Sequence, residues 1–300
     1  MWAQIPTFRR LPDGTIETNP LKDYAAPFDL LVDNPNSVIT LASNQQGLGL
    51  PMTARHDGPI EVFALKAIVL DSDNAPVTAH NVFFDLEHVG KRKKLNNRPI
   101  HLRSVQGDGG RPYILPETIW IPAVQSLFVR FYNNDLAERR VEFVLQGVKY
   151  YPHAAPDYLR KDIYSYTERR ERTYCYFQTT NEDVTLAGSA TGTQAFYTVP
   201  DDADLEIFKA TAVSDAAFRI QHQDGQTDRA YSSALMHSSL FFGGFDASAV
   251  MFGAGGVFPN RWSTTLLVRR SIQNKFVMNN LSASENDIWI TLGGRKISYV

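Results

Sequence analysis

Apolar and polar positions alternate with a period of two along much of the chain. Leu127, Val129 and Phe131 fall on one face against Phe128, Arg130 and Tyr132, and Val141, Phe143 and Leu145 oppose Glu142, Val144 and Gln146. Successive side chains of a strand point to opposite faces, so these runs predict half-buried strands. The second half repeats the pattern: Phe218 and Ile220 alternate with Arg219 and Gln221, and Ile288, Ile290 and Leu292 with Trp289 and Thr291. Turn formers separate the runs at Asp33-Asn34-Pro35-Asn36, Asp71-Ser72-Asp73-Asn74, Gly107-Asp108-Gly109-Gly110, Asp224-Gly225 and Gly293-Gly294. Many short strands between such turns predict an antiparallel sandwich or barrel. Helix is expected only where Leu159, Ile163 and Tyr166 recur at helical spacing among charged residues; an extended charged stretch fits Glu168 to Arg172 equally well.

The chain also repeats itself. Val38-Ile39-Thr40-Leu41-Ala42 returns as Asp183-Val184-Thr185-Leu186-Ala187, and Pro59-Ile60-Glu61-Val62-Phe63 as Asp204-Leu205-Glu206-Ile207-Phe208, both 145 positions on. Leu115-Pro116 with Trp120 is echoed by Phe258-Pro259 with Trp262, Asn133-Asn134 by Asn279-Asn280, and Val141 to Lys149 by Ile288 to Lys296. Collinear matches at nearly constant spacing predict two copies of one domain. The expected organisation is an N-terminal arm (1–26), a first β-sandwich (27–151), a short helical or extended connector (152–172) and a second β-sandwich (173–300). The fold class is therefore all-β, with two tandem antiparallel sandwiches. The arm carries three prolines and little periodicity, so it is expected to rely on a neighbour for order.

Composition narrows the function classes. Thirty Lys and Arg against 32 Asp and Glu give a net charge of -2, which excludes a strongly basic nucleic-acid binder. No direct nucleic-acid contact is expected. No apolar run approaches the roughly 18 residues of a membrane-spanning helix, and Met1 to Arg10 lacks a signal-peptide pattern. The expectation is a soluble protein without membrane insertion or an export route. The single cysteine, Cys175, cannot form an internal disulfide or a multi-cysteine metal site, and between Tyr174 and Tyr176 it reads as a small buried thiol.

His56, His80, His88, His101, His153, His222 and His237 show neither HxH nor HExxH spacing and read as surface, turn or core histidines. His56 and His153 border loops. There is no GxSxG elbow, no nominated carboxylate pair, and no phosphate-loop order in the glycines from Gly243 to Gly256. Neither catalytic residue, metal nor cofactor is expected. Asn280-Leu281-Ser282 matches a glycosylation acceptor and is read as coincidence. The one charge run is Lys91-Arg92-Lys93-Lys94, with Arg98 and Arg103 nearby; it fits a solvated turn, or a contact with phosphates or an acidic partner surface.

Two tandem strand units resemble the double jelly-roll proteins of viruses. The run from Leu115-Pro116-Glu117-Thr118-Ile119-Trp120 through Gln125-Ser126-Leu127 and Asn133-Asn134 to Phe143-Val144-Leu145-Gln146-Gly147-Val148-Lys149-Tyr150 looks like bacteriophage virion proteins. That resemblance implies jelly-roll-like sandwiches and a non-enzymatic subunit of a virion assembled in the host cytoplasm, as capsid shell, decoration or head/collar component. It implies self-association as a trimer or ring, other virion proteins as partners, and an arm that reaches a neighbour. Candidate interface residues are Trp2, Phe8, Arg9 and Arg10 in the arm and Lys91, Arg92, Lys93 and Lys94 in the basic loop. The alternative is a glycan- or receptor-binding tandem sandwich with exposed aromatics such as Trp120, Trp262 or Tyr231; the matching positions of Trp120 and Trp262 favour a shared core or interface role.

Overall fold

Alternating β-branched and aromatic positions form strands where turn chemistry lets them reverse, and in the computed structural model they do so throughout both halves. The structure describes residues 8–10, 16–18, 24–33, 38–107, 112–154, 173–242, 251–252 and 260–298. The expected connector helix and most of the glycine-rich stretch lie outside the described residues. A short hairpin comes first, β1 (Phe8–Arg10) with β2 (Ile16–Thr18). The first sandwich follows as β3 (Ala25–Leu31), β4 (Val38–Leu41), β5 (Leu48–Thr53), β6 (Ile60–Leu70), β7 (Val82–His88), β8 (Lys93–Lys94), β9 (Ile100–His101), the single turn α1 (Leu102–Val105), β10 (Tyr113–Ile121), β11 (Ser126–Asn133) and β12 (Arg139–Tyr150). The second comprises β13 (Thr173–Thr179), β14 (Val184–Leu186), β15 (Thr193–Thr198), β16 (Asp204–Ser214), β17 (Phe218–Asp224), β18 (Met236–His237), α2 (Ser238–Phe242), β19 (Met251–Phe252), β20 (Asn260–Val268), β21 (Gln273–Asn280) and β22 (Asn286–Ile297).

Strand order resolves the kind of sandwich. One sheet of the first copy runs β10-β6-β12-β3 with β4 also on β12; the other runs β5-β11-β7-β8 with β9 on β7. First pairs with last, second with second-last, third with third-last, and the innermost strands pair together, all antiparallel. Such nested pairing across two facing sheets is a jelly roll. The second copy repeats it: β13 and β14 lie on β22, β15 on β21, β16 on β20 and β17 on β18. The fold is thus all-β, with two tandem jelly rolls.

The period-two faces are buried as the pattern predicts, with Leu127, Val129, Phe131, Val141, Phe143 and Leu145 in one core and Phe218, Ile220, Ile288, Ile290 and Leu292 in the other. Three details differ from the sequence reading. Gly293-Gly294 is no turn but lies inside β22, because a side chain at Gly294 would press its Cβ to 2.3 Å from Glu206 O where β16 shifts register. Gly147 holds the same place in β12, 2.2 Å from Glu61 O. The asparagines align as Asn133 with Asn280, one position off the doublet match. Trp120 and Trp262 are not equivalent either: Trp120 stands opposite Glu61, whereas the residue opposite Glu206 is Leu267.

Candidate assembly site

The residues shared by the two copies fix corners and strand ends. Asn133 Nδ2 donates to Ala42 O and Ala137 O, both at 2.9 Å, and its Oδ1 accepts from Asp135 N; Asn280 makes the same bonds to Ala187 O, Ser284 O and Ser282 N. With its amide buried and spent, Asn280 is not presented as a glycan acceptor. Lys149 is buried against Asp57 at 2.6 Å, and Lys296 against Asp202 at 2.6 Å. Thr118 and Thr265 each donate to the matching Glu61 and Glu206 at 2.9 Å. Buried polar groups of this kind hold one geometry because each lost bond exposes an unpaired partner.

The copies meet along a seam that takes up much of the basic loop. The segment after β8 lies against the outer edge of β13: Phe177 N donates to Leu95 O at 2.8 Å, and Thr179 N donates to Asn97 Oδ1 at 2.8 Å. Arg98 donates to Thr180 O at 3.2 Å and to Asp183 Oδ1 at 2.9 Å, and Lys93 stands 4.6 Å above the Tyr174 ring. Arg98 is therefore an internal clamp. Arg92, at φ 49°, and Lys94 face outward. Cys175 and Phe177 of the second copy are buried in the first copy's core, with Tyr113 against Phe177. Elsewhere Ser104 meets Thr291 at 3.0 Å, Lys209 bonds Ile114 O, and Arg295 reaches Glu117 at 3.3 Å. Trp289 packs 4.9 Å from His101, so the second face of β22 meets protein where simple alternation places solvent.

Four of the histidines, His80, His88, His101 and His222, are buried. His80 bonds Gln106, His88 bonds Trp120 O, and His222 bonds the Tyr197 hydroxyl at 2.8 Å. Burial lowers the imidazole pKa of His80 to about 4 and of His222 to about 3, keeping both neutral. Burial likewise pushes the Cys175 thiol up to about 12. His56 and His153 are exposed, and Tyr231 is 44% exposed. Among the described residues no group of three His, Cys, Asp or Glu is placed to hold a metal ion, and no helix is long and apolar enough to cross a membrane. Of the arm residues, Trp2 lies outside the described residues, and Phe8, Arg9 and Arg10 form β1. The place of Pro51 on an outer strand carries no sequence signal until strand order is known.

No protein-family model and no curated protein matches the sequence. Among solved structures the chain is similar to the major capsid protein of bacteriophage PM2 (8% identity, TM-score 0.48, covering 92% of this chain and 98% of that one). It is also similar to PNGase F, a glycosylasparaginase from Flavobacterium meningosepticum (10% identity, TM-score 0.44, 92% and 97%), and to the Faustovirus major capsid protein (5% identity, TM-score 0.32, 92% and 90%).

Proposed function

We propose that the chain is a non-enzymatic structural subunit of a virus particle, a shell, decoration or head/collar component that assembles with copies of itself into a trimer or ring. The observation that carries this reading is the locked tandem: two jelly rolls joined by a seam, with the side chains common to both copies fixing corners and strand ends. Such a block presents two similar sets of outer faces, so a homotrimer offers six similar domains to roughly six-fold surroundings. Arg92 and Lys94, the hairpin β1–β2 and the arm residue Trp2 are the proposed contacts to neighbours. Other virion proteins are the further partners.

Light scattering across a concentration series tests the reading. Full-length protein is expected to form a trimer or larger ring, and a version lacking residues 1–23 to associate more weakly. That truncation spares Tyr24, whose carbonyl accepts from Tyr151 N, and Ala25 and Ala26, which are paired in β3. A concentration-independent monomer in both would replace this reading with the glycan- or receptor-binding module.

A further inference from the structure

The two copies differ where an extended strand is left without a neighbour. β5 and β15 are equivalent, each the outer strand of its sheet. In both, the backbone that follows the first strand caps the outer edge: Asp33 N donates to Pro51 O at 2.9 Å, and Asn181 N to Phe196 O at 2.7 Å. Antiparallel pairing alternates, so Gly49, Pro51 and Thr53 turn their main-chain groups outward in the first copy, and Gln194, Phe196 and Thr198 in the second, where Asn181 Oδ1 already accepts from Thr198 N at 3.0 Å. Pro51 has no N–H to offer, so a ladder along this edge is broken at its centre. The first edge is closed to a further strand.

The second edge has no such stopper. By register Gln194 replaces Gly49, Phe196 replaces Pro51, and Lys275 replaces Phe128. Phe196 is 36% exposed and, with Gln194, Asn181, Glu182, Asp183 and Gln273, lines a groove of about 260 Å³ beside the open strand. Asp183 is paired with Arg98, while among the described residues Glu182 has no cationic partner. The groove therefore carries an acidic lip. The hairpin β1–β2, for its part, pairs with no other strand among those described, and a lone two-stranded ribbon is marginal in water. Its first strand reads Phe8-Arg9-Arg10.

We infer that the open edge of β15 receives β1 of a second copy as an added strand, with the Arg9-Arg10 pair supplying a cation to Glu182 on the lip. This rests on the self-assembly reading and gives it a contact. Main-chain bonds to both backbone groups of Gln194 and to the Phe196 N–H provide affinity, and the charge match sets the partner.

The test uses full-length protein. Phe196→Pro installs the first copy's stopper at a backbone position that already accepts proline in β5, and Glu182→Arg reverses the lip without touching the core. Each is expected to raise the concentration needed for assembly by about tenfold or more, and adding Arg9→Glu and Arg10→Glu to Glu182→Arg to restore it. Oxidation of a Gln194→Cys, Arg9→Cys variant should give a disulfide between chains on a non-reducing gel. Unaltered assembly of Phe196→Pro and Glu182→Arg, or a disulfide closed within one chain, would overturn the edge docking alone. A parent protein monomeric at every concentration would remove the self-assembly reading, and the docking with it.

Discussion

His222 shows how a single side chain sets a property of the protein. Its ring lies between Tyr197, which it bonds, and Phe276 and Tyr231, at centroid separations of 4.9 Å and 4.7 Å for the last two. Burial lowers its folded-state pKa to about 3, whereas an unfolded chain protonates histidine near about 6.5. Between those values the unfolded state binds the extra proton, so this stability is complete above pH 6.5 and is lost as the pH falls toward 3. Linkage gives about 2 kcal/mol from His222 between pH 7 and pH 5. The urea midpoint should drop over that interval, and less steeply in His222→Gln; equal slopes in both proteins would contradict the assignment. The sequence reads the seven histidines as surface, turn or core residues without telling which of them lie beneath aromatic rings, since those partners come from other strands.

At the level of elements, the ends of β11 and β21 are tied by one residue each. Asn133 and Asn280 join the end of their strand to the turn after β4 or β14 and to the turn leading into the last strand. Replacing either by Ala removes a buried amide and several bonds to part-buried carbonyls at once, and each substitution should cost about 3 kcal/mol in chemical denaturation. Because the bonds correspond, the two losses should agree within about 1 kcal/mol. Alternation and repeat made the strands and the duplication legible in advance, along with the pairing of Glu61 with Glu206 and Lys149 with Lys296. The Asn doublets misled by one position, because two adjacent amides look alike until a strand end selects one. Gly293-Gly294 misled because a glycine that opens a turn and one that admits a backbone carbonyl are written with the same letter.

For the whole molecule, the seam was the least legible part. It is built from Asn97, Arg98, Ser104, Lys209 and Arg295, polar residues in a basic loop, a single helical turn and strand faces whose period assigns a side but not an occupant. Its strength has a calorimetric consequence. With Cys175 and Phe177 packed in the first core, full-length protein should unfold in one transition whose calorimetric and van't Hoff enthalpies agree, and Arg98→Ala with Trp289→Ala should split it into two. Two transitions in the unaltered protein would show the sandwiches to be energetically independent. The same packing bears on biosynthesis. Domains made early on the ribosome commonly finish folding before later ones appear. Here the earlier half lacks part of its interior until Phe177 has been translated, and the outer side of β13 finds its Leu95 partner only then. The nascent first half must wait, incompletely closed, for the opening strand of the second, so completion of both halves is timed by a single stretch of newly made chain.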